Sequence, residues 1–217
     1  MTSINPFEMT DLFNLQNVNL DYLTENFPVE FYLEYLILWP TLFFQNTETL
    51  NTIPPIATQS LSSFQHPGTT THTKHPISGY IMGKTEGKNL EWHSHITAVT
   101  VSKLYRRISL ASQYLCVPFQ LLSDSLNEVE FVDLFVKCDN QLAMKMYEKL
   151  GYSVFRRVVG YYNNSNDINT ASTNLKILKN NDEKDAFDMR LSMPRNNNKS
   201  IRKDGKNHRC LPQDVRF

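Results

Sequence analysis

The stretch from Ile96 to Ala111, ITAVTVSKLYRRISLA, limits what this chain can fold into more than any other, because it changes character once and abruptly. A β-branched run, which packs well as a strand, meets a short basic turn, and small residues then open a helix. Where a strand stops at a helix N-terminus, several backbone N–H groups converge on one point and the helix dipole is positive there. Such a junction suits a diphosphate. Arg106 and Arg107 add charge, while Ser109, Ala111 and Ser112 keep the side chains small enough for an anion to reach the backbone. By itself the pattern also fits an ordinary strand–turn–helix connection with two solvated arginines. The rest of the chain has to decide.

With 217 residues, 41% of them hydrophobic, the chain can bury a substantial core, and a single domain over residues 1–193 is expected. The formal net charge of zero provides no global field of the kind that draws a protein onto nucleic acid, so DNA is not an expected partner. Cys116, Cys138 and Cys210 are odd in number and form no CxxC pair, which fits idle thiols in a reducing compartment and predicts neither disulfides nor a metal site. The N-terminal MTSINPFEMTDLF has no basic or apolar targeting region, and no run approaches a membrane span. A cytoplasmic chain without a membrane partner is the expectation.

In chain order, Ser3–Phe7 reads as a strand, followed by a helix capped by Thr10 or Asp11 and running to about Asn17. FYLEYLILWPTLFF, residues 31–44, is apolar on nearly every side until Pro40 ends its helix. Such a helix is either buried within the domain or covered on its outer side by another protein. Residues 46–76 turn polar and aperiodic and read as an insertion loop, and His66, His72 and His75 within it lack the spacing of a metal site. Ile77–Thr85 and Glu91–Val101 read as neighbouring antiparallel strands, the first weakened by Gly79 and Gly83. Alternation on the second puts His93 and His95 on one face, a few residues upstream of the anion-binding turn.

Leu110 to Leu122 continues as a helix that Pro118 must kink or break. Glu130–Val136 is a strand, and Asn140–Leu150 is a helix capped by Asp139 or Asn140 and closed by Gly151 as a left-handed C-cap. Strands at Tyr152–Val159 and Ala186–Leu191 follow, and the basic segment 194–217 reads as a flexible tail. The order predicts an α/β fold with a mixed, mostly antiparallel central sheet flanked by helices. It carries neither GxGxxG nor a Walker A loop.

Two motifs carry a resemblance. The turn Arg106–Ala111, RRISLA, resembles the [Q/R]xxGx[G/A] motif of the GCN5-related N-acetyltransferases, with Ser109 in place of the motif glycine. The run FVDLFVKCDNQLAMKMYEKLGYSVFRRVVGYY, residues 131–162, matches that superfamily's later half through Asn140, Ala143, Tyr147, Gly151 and Tyr152. With NLDYLTENFPVEFYLEYLILWP, GYIMGKTEG and EWHSHITAVTV, the chain is similar to the catalytic subunits of N-terminal acetyltransferase B over nearly all of residues 1–162 and again at 185–190. The insertion and the tail lie outside the resemblance.

The resemblance implies acetyl transfer from acetyl-CoA, without a metal, to the α-amine of nascent chains beginning Met-Asp, Met-Glu, Met-Asn or Met-Gln. It assigns the cofactor to Val99, Thr100 and Val101, to Arg106, Arg107, Ile108, Ser109, Leu110, Ala111 and Ser112, and to Asn140 and Tyr147. Tyr147 is the implied proton donor to the departing thiolate, and His95 either accepts the amine proton or hydrogen-bonds the substrate's second side chain. Leu20, Glu25, Phe27, Tyr161 and Tyr162 are the implied flanks of the peptide, with His95, Thr97 and Asn140 as polar contacts. Implied partners are a large helical-repeat auxiliary subunit, meeting the apolar helix, and the ribosome. The basic tail either contacts that subunit or ribosomal RNA, or is simply solvated. The other readings are an acetyltransferase of the same fold that acts on lysine or a small amine, and a non-catalytic member.

Overall fold

The computed structural model describes residues 2–21, 24–48, 76–162, 179–196 and 201–215. Its strands are β1 (Thr2–Pro6), β2 (Phe43–Glu48), β3 (Ile77–Glu86), β4 (His93–Val101), β5 (Phe131–Lys137), β6 (Ser153–Val158), β7 (Ala186–Ser192) and β8 (Arg209–Cys210). They form one sheet in the order β1-β2-β3-β4-β5-β7-β6-β8. The β1–β2, β2–β3, β5–β7 and β6–β7 pairs are antiparallel, and β4–β5 and β6–β8 are parallel. Helices α1 (Gln16–Asn19), α2 (Val29–Leu38), α3 (Val117–Ser125) and α4 (Gln141–Lys149) complete the fold, which is the mixed α/β architecture expected.

By backbone packing the chain divides into two compact units, Met1–Met82 with Ala98–Leu115, and Gly83–Thr97 with Cys116–Phe217. The first is built on aromatic rings. Phe7 stacks on Phe43 with centroids 4.2 Å apart, and Tyr32 and Tyr80 close the cluster edge-on. Their hydroxyls are satisfied through one side chain, since Asn19 donates to Tyr32 Oη at 3.2 Å and accepts from Tyr80 Oη at 3.1 Å. α2 buries Tyr32 and Tyr35 but leaves Val29, Ile37 and Leu38 more than half exposed. The second unit buries Phe119, Phe131, Leu134, Tyr147, Tyr152 and Met189, together with charged groups on β4, β5 and β7.

Several elements differ from the sequence reading. The helix expected after β1 is a 3-10 turn, Met9–Asn14, followed by the short α1, because Asp11 turns inward to accept from Gln45 Nε2 at 2.5 Å. Phe43 to Glu48 is a strand: Pro40 ends the helical pattern and the chain then alternates into β2, so the polar insertion starts after residue 48. Residues 49–75, with His66, His72 and His75, lie outside the described residues. Gly79 and Gly83 lie within β3, whose residues from Ile77 to Gly83 are all buried. The helix after the basic turn opens as a π-helix, Leu110–Cys116, and changes to α at Val117. Pro118 therefore sits in the first turn of α3, where its missing N–H costs little.

The segment expected to be a flexible tail contains β8. Arg157 N–H donates to His208 O at 2.7 Å and Val159 N–H to Cys210 O at 2.9 Å, which pairs the edge of β6. Polarity alone suggested a solvated tail; main-chain bonding to an open sheet edge does not depend on side-chain polarity. Gly205 is tight here, as a Cβ would lie 1.7 Å from Val154 O. Gly205→Ala is expected to destabilise the chain by about 1–3 kcal/mol in chemical denaturation and to remove hydrogen-exchange protection from the Arg157 and Val159 amides.

Candidate active site

In the first unit the candidate cofactor residues follow β4 without interruption. Val99, Thr100 and Val101 are its last residues, all half-buried, and a 3-10 turn at Lys103–Tyr105 leads into Arg106. Arg107 and Ser109 then take left-handed backbone angles, φ 71° and 65°. The motif that Ser109 departs from has glycine there because this conformation is strained for any residue with a Cβ. The serine keeps the conformation and bears the strain. Left-handed residues alternating with others turn successive N–H groups to one side and form an anion-binding concavity. The π-helix opens from it, with Leu110 buried, Ala111 and Ser112 half-buried and Ile108 exposed.

Arg106 is engaged on the protein itself. Its Nε donates to Val101 O at 3.0 Å, and its Nη2 meets the Asp21 carboxylate at 2.8 Å. Thr24 and Thr100 share a hydroxyl hydrogen bond at 2.9 Å. The connection between α1 and α2 is thereby tied to the end of β4 and to the turn. Phe27 is held from the other end, stacked on Phe31 at 4.7 Å with its N–H 3.4 Å from Tyr32 Oη. Leu20 and Glu25 are exposed on this anchored connection. Asp21 and Thr24 were missed in the sequence, where a loop aspartate and threonine carry no signal.

In the second unit, Tyr147 owes its position to the way α4 ends. Asn140 caps the helix, its Oδ1 accepting from Ala143 N–H at 3.1 Å, so the side chain proposed for ligand contact is exposed but already used in the cap. At the other end Gly151 takes φ 94°, Tyr152 N–H donates to Tyr147 O at 3.0 Å and Gly151 N–H to Glu148 O at 3.1 Å. This is the two-bond Schellman closure, which also brings the side chains four residues from the end and just past it together. Tyr147 and Tyr152 accordingly meet edge-on at 5.5 Å. The Tyr-x-x-x-Gly-Tyr spacing of the motif is thus a helix stop that fixes a tyrosine. Burial, and then the neighbouring Cys116, push the Tyr147 phenol well above its ordinary range, so it stays protonated as a potential acid.

His93 and His95 share a face of β4, as alternation predicts, and both face Asp133 on the parallel neighbour β5, where His95 and Asp133 are register partners. His95 Nδ1 lies 2.8 Å from Asp133 Oδ1. His93 stacks on Phe131, its Nδ1 donating to Glu91 O at 2.6 Å and its Nε2 3.7 Å from both Glu86 and Asp133. Burial opposes a charge on His93, but Glu86 and Asp133 outweigh it and raise its pKa. Burial likewise opposes charge on Asp133, and His95 first, then His93 and Arg190, keep it ionised. Asp133 was missed, although a single aspartate inside the apolar run Glu130–Val136 is the kind of residue that needs a buried partner.

Beyond His95 the face continues in aromatic rings. Phe135 lies 5.5 Å from His95 and stacks on Tyr161 at 4.7 Å, and Tyr162 packs edge-on against Tyr161 at 5.0 Å. The structure therefore brings His95, Tyr161 and Tyr162 together through Phe135, a residue that the sequence reading did not single out. Thr97, half-buried, lies two residues further along β4. Among the described residues no group of three metal-ligating side chains occurs, and no helix is long and apolar enough to cross a membrane.

Two outcomes are expected. Ser109→Gly relieves the left-handed strain and stabilises the chain by about 0.5–1 kcal/mol, raising the melting temperature by roughly 2–4 °C. Glu86 would be raised by burial alone, but His93 and then Lys84, 2.5 Å away, hold it at about 2 against an ordinary 4.5. Its contribution is therefore complete above pH 4.5 and lost as pH falls toward 2. Acid titration of Glu86→Gln should lack that component of the stability loss.

No family model matches the chain. It is 56% identical over the full length of both chains to the catalytic subunit of the N-terminal acetyltransferase B complex of Saccharomyces cerevisiae, and 39% identical, again over both full lengths, to that of Schizosaccharomyces pombe. Among solved structures, the NatB acetyltransferase complex bound to a bisubstrate inhibitor superposes with TM-score 0.76 at 44% identity, covering 99% of each chain. Chaetomium thermophilum Naa20 in complex with a bisubstrate analogue superposes with TM-score 0.74 at 31% identity, covering 99% of this chain and 100% of that one. By this full-length similarity the chain belongs to the family of catalytic subunits of N-terminal acetyltransferase B.

Proposed function

We propose that the chain transfers the acetyl group of acetyl-CoA to the α-amine of polypeptides beginning Met-Asp, Met-Glu, Met-Asn or Met-Gln. The observation that carries this reading is the 56% identity, over both full lengths, to the yeast catalytic subunit. The residues present suit acetyl-CoA: the left-handed pair Arg107 and Ser109 at the head of a helix turns backbone N–H groups toward a diphosphate, and Val99 to Val101 offer strand main chain alongside. Bound acetyl-CoA supplies the thioester. A strand N–H near Val99 polarises its carbonyl.

Each of the remaining roles falls to a described side chain. His95 takes a proton from the α-ammonium, which frees the nitrogen electron pair for attack on the carbonyl carbon. Tyr147 gives its hydroxyl proton to the sulfur as the carbon–sulfur bond breaks, the nitrogen sheds its second proton to solvent as the amide forms, and Tyr147 recovers one from solvent. Leu20 and Phe27 provide apolar surface for the methionine. Thr97, Tyr161 and Tyr162 provide hydroxyls for the second residue, and Glu25 a carboxylate for the ammonium. Asn140 serves through the helix start that it caps, and Arg106 through the turn that it ties to Asp21.

The exposed side chains of Val29, Ile37 and Leu38 on α2 support the docking of a large helical-repeat auxiliary subunit, the arrangement implied by the family. Work on nascent chains at the ribosome, in the cytoplasm, follows from the same reading.

The test is acetyl transfer to Met-Asp, Met-Glu, Met-Leu and Ser-Ala peptides by the chain co-expressed with that subunit. Turnover confined to Met-Asp and Met-Glu is expected, and turnover of internal lysines instead overturns the reading. Tyr147→Phe should lower kcat by about 10²-fold with KM little changed.

A further inference from the structure

Asp133 is fully buried, yet it is not saturated in the way buried carboxylates usually are. Its Oδ1 lies 2.8 Å from His95 Nδ1, while its Oδ2 has no hydrogen-bond partner among the described residues. The contrast with Asp188, buried on β7, is instructive. Asp188 accepts from Arg156 Nε at 2.8 Å and from Arg190 Nε and Nη2, both at 3.2 Å, as a structural carboxylate should. A group placed for stability alone would be satisfied like Asp188. Asp133 instead accepts its one short hydrogen bond from a histidine.

The chemistry of that bond is directional. A carboxylate can only accept, so His95 donates from Nδ1, and the neutral ring then carries its lone pair on Nε2. The other groups around Asp133 keep it charged for this purpose. His93 from β4, backed by Glu86 at the end of β3, stands 3.7 Å away, and Arg190 approaches from β7 with Asp188 beside it. The His95 side chain keeps 11% of its surface exposed, with Phe135 and Tyr161 beyond the ring.

We propose that Asp133 is the positioning residue for His95, holding the imidazole as the Nδ1–H tautomer so that Nε2 is the atom presented to the acceptor's α-ammonium. This rests on the reading of His95 as the base. The proton passes from the ammonium nitrogen to Nε2, the nitrogen keeps the electron pair, and the resulting imidazolium holds its Nδ1 proton on Asp133, which stays ionised. His95 later releases the Nε2 proton to solvent.

The experiment has two arms. Ring-nitrogen NMR of the histidine-labelled full chain, with the His95 signal assigned by its loss in His95→Gln, should show the neutral Nδ1–H tautomer. The Nε2–H tautomer in the native chain overturns the proposal even if no Asp133 variant folds. In the complex with its auxiliary subunit, acting on a Met-Asp peptide, Asp133→Asn should lower kcat by about 10²-fold with KM within about threefold, and move His95 toward the other tautomer. Asp133→Glu should recover part of the rate, which a merely structural role would not require. If His95→Gln is impaired and Asp133→Asn is not, the positioning role fails and the base survives. If His95→Gln keeps its full rate, the reading of His95 as base fails, and the proposal with it.

Discussion

The second unit depends on keeping ionised groups out of water at a tolerable energy. Asp133, Asp188 and Arg190 are each almost fully buried, and an isolated charge in such surroundings would simply neutralise. β-Pairing brings opposite charges into register: Asp133, held ionised, lies across from Arg190 on β7 and beside His95 on β4, and Arg156 on β6 lies across from Asp188, whose carboxyl is pushed up by burial and by Asp133 against the pull of Arg190 and Arg156. Arg190 also lies 3.9 Å from the centre of the Phe155 ring and 4.4 Å from that of Phe131. A guanidinium between two aromatic faces keeps its charge where water is absent. Removing one member of such a set is far worse than removing all, because the remainder is left uncompensated.

The first unit is organised by a different constraint, the direction of the main chain after β4. Two left-handed residues in three positions turn the backbone sharply enough to open a π-helix at once, and the wide π turns then accept Pro118 without a break. Strain at Ser109 is maintained by what surrounds it, including the Arg106 bonds to Val101 and Asp21. Strained backbone of this kind collects where a ligand must approach N–H groups closely. The Thr24–Thr100 hydroxyl pair and the Arg106–Asp21 ion pair also fasten the α1–α2 connection to the same elements, so that the candidate peptide and cofactor residues of this unit share one support.

Tyr147 illustrates how a motif can be physical before it is functional. Its spacing to Gly151 and Tyr152 is that of a helix stop, and any helix closed in this way would place those two side chains together. Burial then sets the state of the side chain: the phenol keeps its proton because ionisation away from water and beside Cys116 is unfavourable.

The sequence by itself determined the elements whose causes are local. Gly151 as a left-handed stop, Asn140 as a cap, the strand–turn–helix at Ile96–Ala111 and the shared face of His93 and His95 all follow from periodicity or from one residue's backbone preference, and the structure has each of them. It could not yield the pairings. β2 was hidden because Phe43 and Phe44 close an apolar run and the polar residues from Asn46 to Glu48 read as the start of a loop, and β8 because its bonds are main-chain bonds to β6 that leave no mark on side-chain composition. Asp133 and Phe135 looked like ordinary members of an apolar strand. Only the parallel register of β4 and β5 puts the carboxylate under His95, and only the return of the chain after β6 lays Tyr161 on Phe135. Contacts between residues distant in the chain are set by which strands pair and in what register, and neither is written in any short stretch of sequence.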